Sequence, residues 1–293
     1  MKVTSLWGSS TKPTVSFELF PARSEKAAIK LDKTIDMLAA LRPDFVSVTF
    51  GAGGSTREGS YQLVNKLINE KGLQTMAYFA GYGLGPEDIT SILSSYARIG
   101  VKNVLVVRGD EPLDKKDFNP HSQSLPHASD MMAFIRPEYG FCLGAAGYPE
   151  GHVESENLEK DIEYLKLKVK NGAEYIICNY FYDNQYFFDF VDKCRSIGIN
   201  LPVLPGVMPV YSIKMMEMLT GLCGATITRK LKQGLDSLPD GDKDAVVNFG
   251  IEFAVNQCRE LLKEGVAGLH FYTMNLSKAA VEIVKQLKNE GLL

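Results

Sequence analysis

The strongest constraint on the fold is the way short apolar, β-branched or aromatic runs alternate with longer segments of helical period. Eight such runs occur, at Thr14–Leu19, Asp44–Phe50, Leu73–Phe79, Asn103–Val107, Phe141–Gly147, Glu174–Tyr180, Pro202–Val207 and Gly268–Thr273. Strands that alternate with helices predict βα units and a parallel sheet. Eight strands suit a closed barrel, so we predict a (β/α)8 TIM barrel that spans residues 1–293 as a single domain. The alternative is an open doubly wound sheet, but no switch point of strand order is evident.

The segments between the runs carry helix signals. In Ser24–Leu41, apolar residues recur at helical spacing along one face. Pro86 with Glu87 and Asp88 suits a helix start, and Gly100 suits a helix end. The helices predicted on this basis are Ser24–Leu41, Thr56–Glu70, Pro86–Ile99 and Glu154–Lys170.

Two segments interrupt this rhythm. Glu111–Leu125 is polar and lacks a helical pattern, which predicts a long loop after the fourth strand. The stretch from Cys223 to Phe253 contains the turn-rich run LDSLPDGDKD and predicts extra helices between strand seven and strand eight.

Charge and cysteine content narrow the class of protein. The 32 basic and 35 acidic residues give a net charge of −3, which argues against a nucleic-acid partner. The five cysteines show no CxxC spacing, which predicts free thiols in a reducing compartment. The first apolar run is too short for a signal peptide, and no stretch approaches the roughly 20 apolar residues that span a bilayer. We therefore predict a cytoplasmic protein without a membrane partner.

Polar residues stand at the carboxyl ends of five predicted strands, where enzymes with this fold carry their active sites. These residues are Glu18, Thr49, Arg108, Asp110, Tyr148, Glu150, His152, Asn179 and Asp183. Glu18 lies in an apolar strand, so it is either half of a buried ion pair with Arg108 or another base, or a general acid with a raised pKa. Asp110 is either a turn or capping residue, or an acceptor for a polar ring. His152 is either structural or functional.

Several chemistries are disfavoured. No strand end offers a lysine for a Schiff base, and no histidine cluster offers a metal site. The glycine-rich loop from Gly51 to Gly54 is a weak dinucleotide signal, because Thr56 stands where a third glycine is needed. The rim also lacks a nucleophile paired with a base. Such a rim needs an organic cofactor to perform redox work.

Six segments together resemble the methylenetetrahydrofolate reductases. They are SFELFP, FVSVTFGAGGSTRE, VLVVRGDEP, HASDMMAFIR, AAGYPEGHVES and LHFYTMN, and they run nearly end to end in the family's order. The resemblance implies a flavin-containing barrel that reduces 5,10-methylenetetrahydrofolate to 5-methyltetrahydrofolate. It implies FAD as cofactor and NADH or NADPH as the electron donor. FMN is the alternative, because Leu167 stands where the family carries an arginine on the flavin side.

The resemblance also implies roles for individual residues. Glu18 matches the family's general acid, and Asp110 matches a catalytic aspartate near the flavin and the pterin. Lys168 would supply a charge for the flavin's phosphates. The positions implied on the flavin side are Thr49, Phe50, Ala52, Tyr78, Arg108, Gly109, Asp110, Ala128, Tyr148, His152, Asp161 and Lys168. Those implied on the folate side are Asp110, Asn179, Met215 and Leu276.

Some of these positions depart from the residues that are familiar in the family. Asn179 and Met215 stand where glutamines are usual, and Leu276 replaces an arginine that contacts folate. Tyr78 replaces a histidine, and Leu167 replaces an arginine on the flavin side. We therefore expect the reaction class to survive while the folate tail or the electron donor is handled differently.

Two other functions remain open at this stage. One is a folate-binding methyltransferase barrel without flavin. The other is a reductase-like subunit that needs a partner for electron input or has become a binding module. Apolar outer positions on the predicted helices also suggest a homo-oligomer, without locating an interface.

Overall fold

The computed structural model describes residues 1–7, 12–51, 54–111 and 118–293. Within these ranges, eight parallel strands pair in sequential order and close into a barrel, which confirms the predicted fold. The strands are β1 (Thr14–Leu19), β2 (Phe45–Val48), β3 (Thr75–Ala80), β4 (Asn103–Val107), β5 (Cys142–Gly147), β6 (Ala173–Tyr180), β7 (Val203–Val207) and β8 (Gly268–Tyr272). The second strand is shorter than predicted, because Thr49 and Phe50 already belong to the loop that follows it.

The helices of the described residues surround this barrel. They are α1 (Glu25–Ala39), α2 (Gly54–Asn69), α3 (Pro86–Arg98), α4 (Ala128–Glu138), α5 (Leu158–Lys170), α6 (Asn184–Ser196), α7 (Ile213–Cys223), α8 (Arg229–Asp236), α9 (Lys243–Lys263) and α10 (Ser277–Asn289). Three of them, α7 to α9, lie between β7 and β8, which confirms the predicted extra helices. Helix α5 begins later than predicted, because the Asn157 side chain caps it by accepting a hydrogen bond from Lys160 N at 2.9 Å.

Each strand presents two different faces. In β1, Val15, Phe17 and Leu19 belong to the apolar layer shared with the helices, where α1 contributes Leu31 and Ile35. Ser16 and Glu18 alternate with them along the strand and face the barrel interior. Polar side chains are therefore buried inside the barrel because of strand periodicity.

The amino-terminal end of the barrel is closed by a short 3-10 turn, Val3–Leu6. Val3 is fully buried, its N–H donates to the Asn103 side chain at 2.8 Å, and Trp7 packs against Phe45 and Tyr175. Ligands therefore reach the barrel interior from the carboxyl ends of the strands.

The five cysteines are free thiols, as predicted. No helix in the described ranges is both long enough and apolar enough to cross a membrane. The predicted loop at Glu111–Leu125 lies partly outside the described residues, and its described part, from Phe118 onward, contains no helix or strand.

Candidate active site

Glu18 lies near the carboxyl end of β1, beside Ser47 of β2 and Tyr272 of β8. The residue is 8% exposed, and no cation of the described chain pairs with its carboxylate. Burial raises the Glu18 pKa to about 7, and the neighbouring Tyr78 hydroxyl opposes this shift. Because half of such a group is protonated near neutral pH, Glu18 can act as an acid.

The ion-pair interpretation of Glu18 is wrong. The guanidinium of Arg108 instead pairs with Glu154, and both of its terminal nitrogens donate to that carboxylate. Glu154 lies after the next strand and lines the same cleft as Arg108, and the sequence did not single it out as a partner.

A polar layer surrounds Glu18 inside the barrel. The Tyr78 hydroxyl is buried beside Glu18 and Ser47 without completing a hydrogen bond to either. Tyr272 donates its hydroxyl hydrogen across the barrel to Cys178 O at 3.0 Å. Its ring lies against Gly206, where an added Cβ would meet Tyr272 Cε2 at 2.5 Å and Cys178 O at 2.3 Å. Gly206 therefore makes the room that the Tyr272 ring occupies.

A second polar group lies one layer deeper. His270 is fully buried, and its Nδ1 lies 2.8 Å from Ser16 Oγ while its Nε2 lies 3.4 Å from Ser47 Oγ. Burial lowers the His270 pKa to about 3, so the ring is neutral. His270 and Tyr272 were not predicted from the sequence, although polar residues at alternate positions of the apolar run LHFYT are a signal for inward-facing side chains.

A cleft of about 390 Å³ opens beyond the ends of β4 and β5. Six residues predicted for the flavin side line it together: Arg108, Ala128, Tyr148, His152, Asp161 and Lys168. The Tyr148 and His152 rings meet edge to face at 4.7 Å, which fixes this wall of the cleft. The structure therefore joins residues from β4, α4, β5 and α5 in a single concave surface.

The inner wall of the cleft carries a poorly solvated cation. Lys168 Nζ donates to Ala146 O at 3.2 Å and lies 5.9 Å from the centre of the Tyr148 ring. Burial lowers the Lys168 pKa, and the charge of Asp161 partly offsets this effect. Asp161 is itself 6% exposed and accepts a hydrogen bond from Ser155 at 3.2 Å. An anionic ligand in the cleft would supply the stabilisation that water does not.

The amino-terminal end of α4 borders the same cleft through Ala128 and Ser129. Peptide N–H groups at a helix start are unpaired and carry partial positive charge, which favours anions. Here the Asp130 carboxylate accepts from His127 N at 3.2 Å and Asp130 N donates to His127 O at 3.1 Å, whereas no described group accepts from the amides of Ala128 and Ser129.

Other predicted positions lie outside this cleft. Phe50 packs against Phe79, with the Arg57 guanidinium 6.0 Å from its ring centre, so its ring is directed toward α2 and α3. Gly109 has a φ of +86°, a conformation that favours glycine, and it brings Asp110 to the exposed rim. Thr49 is half-buried after β2. Ala52 lies outside the described residues.

The predicted folate-side residues come from three further elements. Asn179 is half-buried near the end of β6, Met215 is half-buried in the first turn of α7, and Leu276 is 44% exposed before α10. Two other rim residues have structural partners. Asp183 caps α6 by accepting from Gln185 N at 3.0 Å, and Glu150 accepts from Thr226 N at 3.1 Å.

Among the described residues, no group of three histidine, cysteine or acidic side chains could hold a metal ion.

Comparisons with known proteins assign the chain to a family. Residues 4–288 match the family model described as methylenetetrahydrofolate reductase. The chain is 36% identical over 289 residues to methylenetetrahydrofolate reductase (NADH) 1 of Arabidopsis thaliana, covering 95% of this chain and 48% of that protein. It is 36% identical over 285 residues to methylenetetrahydrofolate reductase 1 of Schizosaccharomyces pombe, and this match covers 96% of this chain and 46% of that protein. The chain thus spans about half the length of these curated relatives.

Solved structures share the fold at low sequence identity. An uncharacterised protein from Clostridium thermocellum that binds two copies of 5-methyl-5,6,7,8-tetrahydrofolic acid aligns with a TM-score of 0.66 and 17% identity, covering 95% of this chain and 96% of that one. Dihydropteroate synthase from Xanthomonas albilineans aligns with a TM-score of 0.52 and 11% identity, and the alignment covers 96% of this chain and 94% of that one. At such identities these likenesses show the barrel alone.

Proposed function

The chain belongs to the methylenetetrahydrofolate reductase family, and from that premise we propose that it reduces 5,10-methylenetetrahydrofolate to 5-methyltetrahydrofolate with a bound flavin. The observation that carries the proposal is Glu18, an unpaired carboxyl buried in the barrel with its pKa raised to about 7. A reductase of this substrate needs an acid at neutral pH, because the five-membered ring opens when one of its nitrogens is protonated.

The residues of the cleft fit a flavin. The volume of the cleft, about 390 Å³, falls within the usual range of about 300–1,000 Å³ for cofactor pockets. Lys168 and the start of α4 offer positive charge for phosphates, while Tyr148 and Ala146 offer apolar surface. We propose FAD as the cofactor. FMN is the alternative, because Leu167, which lines the cleft and is 48% exposed, contributes no charge there.

A bound flavin, held by Lys168 and the start of α4, would supply the hydride-transfer chemistry between the donor and the folate. Glu18 donates its proton to a nitrogen of the folate's five-membered ring, which opens to an iminium ion and leaves Glu18 as a carboxylate. Asp110 at the exposed rim accepts hydrogen bonds from the pterin ring, and the Asn179 amide on β6 both accepts hydrogen bonds from it and donates to it. The relatives named for NADH favour NADH as the donor.

The purified protein is expected to be yellow. Its flavin should bleach when NADH is added without oxygen, and the colour should return when methylenetetrahydrofolate follows. The measurement is the visible absorption spectrum during this anaerobic titration. A protein that stays colourless after incubation with FAD and with FMN would contradict the proposal and favour the folate-binding methyltransferase. A different outcome is a bound flavin that a chemical reductant reduces but that neither NADH nor NADPH reduces. That result would favour a subunit that depends on an electron-donating partner.

The folate half-reaction is expected to depend on pH with a midpoint near 7. Because Glu18 must be protonated to act, the rate should be constant well below its pKa of about 7 and should fall about tenfold per pH unit above it. Stopped-flow reoxidation of the reduced flavin by folate across this range measures the effect. Reduction of the flavin by the donor serves as the control, since that step needs no proton from Glu18. The same midpoint in both half-reactions would assign the titration to another group.

A further inference from the structure

The hydroxyl of Tyr78 has two neighbours and no completed hydrogen bond. It is buried on β3, beside the Glu18 carboxyl from β1 and the Ser47 hydroxyl from β2. A buried hydroxyl without a partner is costly, so Tyr78 gains from donating to whichever neighbour accepts best at a given moment.

A chain of hydrogen bonds determines what Ser47 can offer to Tyr78. We assign the hydrogen of Ser16 Oγ to Leu269 O at 3.2 Å, and with this assignment Ser16 Oγ accepts from His270 Nδ1 at 2.8 Å. The buried ring is neutral, which leaves its Nε2 as an acceptor for the Ser47 hydroxyl at 3.4 Å. With its hydrogen directed to His270, Ser47 presents a lone pair to Tyr78.

The groups around Glu18 leave this role to Tyr78. Tyr272 from β8 also faces Glu18, but its hydroxyl hydrogen goes to Cys178 O at 3.0 Å. Thr273 donates to the backbone carbonyl of Glu18 at 2.6 Å and does not serve the carboxyl. His270 lies one layer deeper and is neutral. Among the described residues, Tyr78 is therefore the side chain with an uncommitted hydrogen beside the carboxyl.

We propose that Tyr78 is a positioning residue that moves its hydroxyl hydrogen from Ser47 to Glu18 when Glu18 gives up its proton. While Glu18 is protonated, Tyr78 donates to Ser47. Once Glu18 is a carboxylate, the Tyr78 hydroxyl rotates and donates to it, which stabilises the anion that proton donation leaves behind. No covalent bond of Tyr78 breaks in this step. The inference rests on the proposed role of Glu18 as the acid.

Two substitutions test the proposal with opposite signs. Tyr78→Phe removes the donor to the carboxylate, so the Glu18 titration should move up by about one pH unit. Ser47→Ala removes the competing acceptor, so Tyr78 donates to Glu18 in both states and the titration should move down. Tyr175→Phe is the matched control, because Tyr175 is another barrel tyrosine whose buried hydroxyl has no partner, and it lies in the layer closed by Trp7. It should leave the titration unchanged.

The titration is read directly in the protein without substrate, from the infrared carbonyl band of protonated Glu18, which is assigned by its loss in Glu18→Gln. This readout stands even if the protein proves not to reduce folate, so the two proposals fail separately. Opposite shifts in Tyr78→Phe and Ser47→Ala support the proposal. Shifts in the same direction, or none in either variant, overturn it. If Tyr78→Phe does not fold, a downward shift in Ser47→Ala still supports the proposal, and an unchanged or upward midpoint overturns it.

Discussion

Replacing Glu18 by glutamine is expected to slow the reduction of folate about 1,000-fold, within the range by which general acids accelerate reactions. Glutamine keeps the size and burial of the side chain but has no acidic proton, so the folate ring cannot be opened from this position. Flavin reduction by NADH should change by less than about twofold, because that half-reaction uses no proton from Glu18. Stopped-flow traces of the two half-reactions provide the measurement.

The matched control for this change is Glu174→Gln. Glu174 is the second residue of β6, at the other end of the barrel, where its carboxylate lies 3.5 Å from Lys2 Nζ. Its substitution should leave both half-reactions intact. If Glu18→Gln impaired both half-reactions equally, its effect would be on the folded site rather than on proton donation.

Glu18→Gln should also raise the free energy of unfolding at neutral pH. A folded-state pKa of about 7 against an ordinary value of 4.5 means that the folded protein holds its Glu18 proton more tightly than the unfolded chain. Glu18 then contributes stability that is fully present below pH 4.5 and is lost as the pH rises to about 7, a loss of about 3 kcal/mol. Urea unfolding measures the free energy of unfolding of both proteins. The difference in favour of Glu18→Gln should grow as the pH rises over this interval. A constant difference would show that Glu18 has an ordinary pKa.

Replacing Lys168 by methionine is expected to weaken flavin binding about 100-fold, the order of loss when a charge paired with a buried partner is removed. Lys168 uses one hydrogen on Ala146 O, and burial lowers its pKa, so its charge is poorly solvated until an anion arrives. Methionine keeps the length and the apolar contacts with Tyr148. Fluorescence titration of the flavin-free protein with FAD and with FMN measures the change.

Neighbouring residues on α5 supply the controls. Lys166→Met removes a charge from the exposed face of the same helix and should leave flavin affinity unchanged. Leu167→Arg adds a charge at the edge of the cleft and should favour FAD over FMN, because FAD carries the additional phosphate. Equal loss in Lys166→Met and Lys168→Met would indicate a general charge effect, and the position of Lys168 in the cleft would then be irrelevant.

The fold was largely predictable because strand and helix periods are local properties of the sequence. The bounds of β1 and β4 agree with the predicted runs, and the φ of +91° at Gly100 confirms the helix end expected there. Boundaries moved where a side chain intervened, as when Asn157 set the start of α5. Caps of this kind depend on which of several polar residues adopts the extended conformation before the helix.

The site was predictable only in part. Strand ends predicted that Glu18, Arg108, Tyr148 and His152 would lie at one end of the barrel, since topology alone brings such positions together. The family resemblance alone implied Ala128, Asp161 and Lys168, which lie on helices. The ion-pair partners of these residues were not predictable from the sequence. Arg108, for example, pairs with Glu154 only because the fold brings the two side chains together. The interior group of Ser16, Ser47 and His270 also escaped, because each residue alone is an ordinary polar residue in a strand.

The seam that closes the barrel also governs when the protein can fold. Thr14 of β1 lies beside Gly268 of β8. During synthesis, one edge of β1 therefore stays unpaired until β8 is translated roughly 250 residues later. At ribosomal speeds of about 5–20 residues per second, that wait lasts roughly 12–50 s. Throughout it the nascent chain holds an apolar strand with an unpaired edge, the kind of surface that invites aggregation. Yield in a host cell should thus depend on translation rate and on chaperones that shield the emerging chain.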